Sequence, residues 1–121
     1  MNRSIARLLL VVALVLVLPS LAAGKMSDED FFDLCTEGTP AEVQAAIEAG
    51  ADLKARDKDG FTPLHWAALV NRNPEVITVL LKAGADMNAK DDLGFLPIDY
   101  AESNEDLKGT AALEALRRAS R

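Results

Sequence analysis

Few side chains in this 121-residue sequence could do chemistry, and they are scattered. There is one histidine, His65, and one cysteine, Cys35. A protein-bound zinc needs three or four N, S or O ligands at short spacings. No group of Cys, His and Asp here has that spacing, so neither a metal nor another cofactor is expected. Covalent catalysis needs a nucleophile with a base beside it. Beyond residue 24 the serines are Ser27, Ser103 and Ser120, which fall at helix caps or the terminus. Gly84-Ala85-Asp86 reads as a turn, not a phosphate cradle. The expectation is a protein that is not an enzyme. One cysteine makes no internal disulfide, and Cys35 reads as a thiol packed inside a helix. The alternative is a redox- or stress-linked protective factor in which Cys35 reacts with oxidants or a second chain.

The elements that would position these residues begin after a distinct leader. Asn2-Arg3-Ser4-Ile5-Ala6-Arg7 is basic, Leu8 to Leu18 is unbroken apolar sequence, and Pro19-Ser20-Leu21-Ala22-Ala23-Gly24 is mostly small. That order describes a secretory signal peptide over residues 1–24, of bacterial style, with cleavage expected after Ala22 or Gly24. The apolar run is shorter than the roughly 20 residues that span a bilayer, so an uncleaved anchor is the alternative. Export would place the protein in the periplasm or outside the cell. The whole chain has 13 basic and 19 acidic residues, net −6. Loss of Arg3 and Arg7 leaves 11 basic against 19 acidic, net −8. Nucleic-acid binders need a basic patch, so nucleic acid is excluded as a partner, and so, after cleavage, are anionic membranes.

The remainder repeats itself. Ala49-Gly50-Ala51-Asp52 recurs as Ala83-Gly84-Ala85-Asp86, and Lys54-Ala55-Arg56-Asp57 as Asn88-Ala89-Lys90-Asp91. Asp59-Gly60-Phe61-Thr62-Pro63-Leu64 recurs as Leu93-Gly94-Phe95-Leu96-Pro97-Ile98. All three pairs share one offset of 34. Thr39-Pro40-Ala41-Glu42 predicts a capping box with proline at the first helical position. Asn73-Pro74-Glu75 predicts a second cap, and Ser27-Asp28-Glu29-Asp30 caps the first helix with acid at its positive end. Val43, Ala46 and Ile47, then Val76, Val79 and Leu80, recur at helical spacing. Gly50 and Gly84 stand where a left-handed C-cap is wanted. Leu107 to Arg118 predicts a closing amphipathic helix with Leu113 and Leu116 inward.

Gly60-x-Thr62-Pro63-Leu64-His65-x-Ala67-Ala68, followed by Glu75-Val76-Ile77-x-x-Leu80-Leu81-x-Ala83-Gly84-Ala85-Asp86-x-Asn88-Ala89, resembles the ankyrin repeat nearly end to end. The extra residue over the family period lies in the inter-helix turn Asn71-Arg72-Asn73-Pro74. The resemblance implies an all-α repeat fold, a helix-turn-helix stack with projecting β-hairpin turns. It divides residues 25–121 into a degenerate N-terminal copy (28–56), a full repeat (57–90) and a C-terminal capping copy (91–121). So short a stack predicts modest stability. The resemblance also implies that His65 bonds backbone in the turn between repeats, with Thr62 in the same network.

Function follows from the same resemblance: a non-catalytic module, expected to be a monomer, that binds a protein through hairpin tips and the exposed face of each first helix. The positions carried over are Arg56, Lys58, Asp59 and Phe61 on one tip and Lys90, Asp92, Leu93 and Phe95 on the next. Leu69 and Val70 join them on the inner helix, with Ser103 and Asn104 in the last copy. Trp66 is expected to pack. Aromatic anchors with a charged rim suit a protein interface.

Overall fold

Proline and its preceding cap set the start of four helices. The computed structural model describes residues 26–120. Its α-helices are α1 (Asp28–Glu37), α2 (Pro40–Glu48), α3 (Pro63–Val70), α4 (Pro74–Lys82), α5 (Pro97–Ala101) and α6 (Ala111–Ala119). A single 3-10 turn, Glu105–Leu107, precedes α6. Proline opens α2, α3, α4 and α5, where its missing N–H costs nothing. Thr39 and Glu42 form the reciprocal capping box, and Ser27 Oγ accepts from Asp30 N at 3.2 Å. Asn73 occupies the cap of α4 without a side-chain bond. Its own N–H is instead held by Asn71 Oδ1 at 2.6 Å, so Asn71 organises that turn.

The helices form two layers. The first helices α1, α3 and α5 pack side by side, and the second helices α2, α4 and α6 pack behind them. Between the layers lie Phe31, Leu34, Val43, Leu64, Val76, Ile77, Leu80, Leu107 and Leu116, all buried. Small residues at Cys35, Ala67, Ala68 and Ala101 let neighbouring first helices approach closely. Two asparagines then tie the copies together. Asn71 Nδ2 donates to Cys35 O, and Asn104 Nδ2 donates to Ala68 O at 3.0 Å and Asn71 O at 3.2 Å. Each satisfies carbonyls at the open end of the preceding first helix, where no helical N–H remains.

Three expectations are corrected. The projecting turns contain no strand among the described residues. Each is a tight tip closed by two backbone bonds, Asp57 N to Phe61 O (3.0 Å) with Gly60 N to Asp57 O (3.0 Å), and Asp91 N to Phe95 O (2.9 Å) with Gly94 N to Asp91 O (2.9 Å), too short for a ladder. The closing helix begins at Ala111, not Leu107, because Gly109 takes φ +73° and Thr110 caps the new start. Leu107 is buried from the 3-10 turn, while Leu113 and Leu116 do point inward. Asn104 is no surface position: α5 is only five residues long, so the chain turns Asn104 into the stack. The signal-peptide assignment falls on residues 1–24, outside the described residues.

Candidate functional site

The two tips are built by one device used twice. Asp57 Oδ1 accepts from Asp59 N and Phe61 N, both at 2.9 Å, and Asp57 Oδ2 accepts from Trp66 Nε1 at 2.9 Å. Thirty-four residues on, Asp91 Oδ1 accepts from Leu93 N and Phe95 N, and Asp91 Oδ2 accepts from the Tyr100 hydroxyl. A carboxylate thus closes each tip and clamps it to an aromatic on the following helix. Burial pushes Asp91 up, but the Tyr100 hydroxyl and the Phe95 and Leu93 N–H groups outweigh it, leaving its carboxyl below the ordinary value. Burial and the Asp91 bond push Tyr100 up to about 12. The sequence carried a signal for this, since Trp66 and Tyr100 also stand 34 apart, but their shared donor role was not read from it.

His65 joins the tips. Thr62 N donates to His65 Nδ1 at 3.1 Å, which assigns the proton to Nε2, and Nε2–H donates to Phe95 O at 3.0 Å. The ring is fully buried, and burial lowers its pKa against the opposing pull of the Phe95 carbonyl and Asp91. Both nitrogens are committed to backbone, so His65 holds structure. Cys35 is also fully buried, and burial pushes its thiol well above the ordinary range. A thiolate, the reactive form, is disfavoured there.

The predicted partner-binding residues do not form one patch. Arg56 is spent between the tips, its Nη1 donating to Lys90 O at 2.6 Å and Gly60 O at 3.3 Å. Phe61 is half-buried at the centre of an aromatic cluster, 5.0 Å from Tyr100, 5.1 Å from Trp66 and 5.3 Å from His65 between centroids. Leu69 is half-buried, and Lys58, Asp59, Lys90 and Asp92 are exposed. Val70 (44%), Leu93 (78%) and Phe95 (46%) are the large hydrophobics most open to solvent among the described residues. All three are among the predicted positions.

An open groove of about 1100 Å³ lies between α1, the first tip and α3. It gathers Arg56, Lys58, Asp59 and Val70 from the predicted set and leaves the others, including the whole second tip, outside. It adds Phe32, Trp66 and Arg72, with Asp28, Glu29, Asp33 and Glu37 along α1. These additions escaped sequence reasoning because the first copy shows no tip motif to anchor its surface positions. No three His, Cys, Asp or Glu residues converge as a metal site among the described residues, and none of the described helices is long and apolar enough to cross a membrane.

Comparison with known families matches residues 59–92 to the ankyrin repeat. Comparison with curated proteins returns no match. The matched stretch runs from within the first tip through α3 and α4 into the start of the second tip.

Proposed function

We propose that this chain, an ankyrin-repeat protein, is a non-catalytic module that binds another protein through its tips and first helices. Ankyrin repeats mediate protein–protein interaction, and stacked repeats bind through such extended faces. The observation that carries the reading is where apolar surface is left open. Val70, Leu93 and Phe95 lie on the tips and a first helix, whereas the second helices leave no large hydrophobic comparably exposed. Exposed aliphatic and aromatic side chains on elements that also expose Lys58, Lys90 and Asp92 have the composition of an interface.

The setting proposed is outside the cytoplasm, on the strength of the basic–apolar–small leader over residues 1–24. Mass spectrometry of the purified protein checks this. An N-terminus at Ala23 or Lys25 is expected; an intact chain from Met1 would favour the anchored alternative. The redox alternative rests on Cys35, and its burial offers that reading no support.

Affinity capture from the producing cell's periplasm or medium tests the binding reading. Val70→Ser/Leu93→Ser/Phe95→Ser should lose specific partners about tenfold or more relative to wild type. Equal recovery by a folded triple variant would remove this surface from consideration.

A further inference from the structure

The groove beside the first tip has a recognisable shape, because the molecule shows what such a slot accepts. The second tip docks against the first in a fixed register. Asp92 N donates to Asp59 O at 3.0 Å, and Arg56 from the first tip reaches Lys90 O on the second. Lys58 is the counterpart of Asp92, 34 residues earlier, in a tip closed by the same internal bonds. Its N–H has no partner among the described residues, and Lys58 lines the groove. An element lying there in the same register would offer a carbonyl to Lys58 N–H. It would also carry a cationic side chain where the first tip carries Arg56.

The walls select the same chemistry. On one side stand Asp28, Glu29, Asp33 and Glu37 of α1. On the other stand Asp57 and Asp59 with Arg56, Lys58 and Arg72, the Arg56 guanidinium donating to two carbonyls. The balance is acidic, and the chain's net charge of −6 extends that field outward. Trp66 and Val70 supply apolar surface at the α3 wall, with Trp66 held by Asp57.

Resting on the reading of the chain as a protein binder, we infer that this groove takes a turn-forming, lysine- or arginine-bearing segment of the partner, stacked on the first tip as the first tip stacks on the second. The segment's carbonyl accepts from Lys58 N–H, its basic side chain lies against the α1 carboxylates, and its apolar side chain rests on Trp66. Backbone pairing provides register and charge provides selectivity.

The probe is a blocked synthetic peptide, Lys-Ala-Arg-Asp-Lys-Asp-Gly-Phe, which copies residues 54–61 and carries net +1. Its comparison, Asn-Ala-Lys-Asp-Asp-Leu-Gly-Phe, copies residues 88–95 and carries net −1. Each is titrated into the ¹⁵N-labelled purified protein while the Lys58 amide and the indole N–H of Trp66, the only tryptophan, are followed by NMR. The basic peptide should shift both signals saturably and bind about fivefold or more tighter than the acidic one. That preference should collapse near 0.5 M salt, where the Debye length falls to a few ångströms. Glu29→Lys/Glu37→Lys, both exposed, should abolish the preference with the helical CD spectrum unchanged.

Absence of a shift at millimolar peptide, equal binding of the two peptides, or shifts confined to residues 91–95 would each overturn the inference. Nuclear Overhauser contacts from residues before Met26 to the Trp66 indole would overturn it too, by making the occupant this chain itself. Partner capture that persists without peptide binding would refute the inference and leave the binding reading standing.

Discussion

Phe61 and Phe95 hold the same place in the tips of two successive copies, yet one is half-buried and the other exposed. Their local surroundings match: each donates its N–H to the tip aspartate, and each tip is clamped to an aromatic nine residues beyond that aspartate. The difference lies in what comes next in the stack. Phe61 has the second tip and Tyr100 against it, whereas Phe95 meets Tyr100 only edge-on at 5.9 Å. An identical residue in an identical turn is therefore half-buried among aromatic rings in one copy and exposed in the next. In a repeat stack, burial is decided by the neighbour and not by the repeat's own sequence.

Truncation should expose that difference most strongly. Phe61→Ala should cost about 3 kcal/mol by removing an aromatic wedged among three rings, while Phe95→Ala should cost under about 1 kcal/mol. Urea unfolding of both variants checks this, and equal costs would dissolve the contrast. The glycines come next. Gly60 and Gly94 both take positive φ, +80° and +87°. A Cβ on Gly60 would meet Asp92 Oδ1 at 2.5 Å and Asp92 N at 2.8 Å, whereas one on Gly94 meets nothing within 4 Å. Gly94→Ala should therefore show only the left-handed backbone cost, about 1 kcal/mol, and Gly60→Ala about twice that or more.

The pH dependence should separate the clamps. His65 has its pKa lowered below 6.5 by folding, so its contribution is fully present above pH 6.5 and declines as pH falls below it. The slope is no steeper than one proton, about 1.4 kcal/mol per pH unit, and His65→Asn should flatten it. Tyr100 is raised from 10 to about 12, so stability from the second clamp should be lost as pH climbs through that interval. Trp66 does not titrate, so the first clamp has no alkaline limb. Tyr100→Phe should remove the limb, and its persistence in that variant would assign it elsewhere. The smallest effect expected is that of Arg56→Met, about 0.5–1 kcal/mol, from the lost bonds to Gly60 O and Lys90 O across the tips.

Much of this architecture was legible because it is local. The Thr39 and Thr62 caps, the helix-opening prolines and the positive-φ glycines at 50 and 84 act within about four residues of chain. The exposed candidates Val70, Leu93 and Phe95 were also named from repeat position alone. Asn104 was misplaced as a surface position, and the tie that the exposed Arg56 makes between the tips was not foreseen, because these partners lie 33 to 36 residues away in sequence, beyond the reach of any local pattern.

The sequence by itself determined the period of the stack and the type and most starts of its helices. Those follow from backbone propensity, capping and composition, which each residue expresses with its near neighbours. Only the tertiary structure decided which tip is covered, that Asn71 and Asn104 tie successive copies, and that α1 and the first tip enclose an acidic groove. Those depend on how rigid copies meet, and two copies with the same pattern meet different neighbours at different places in the stack.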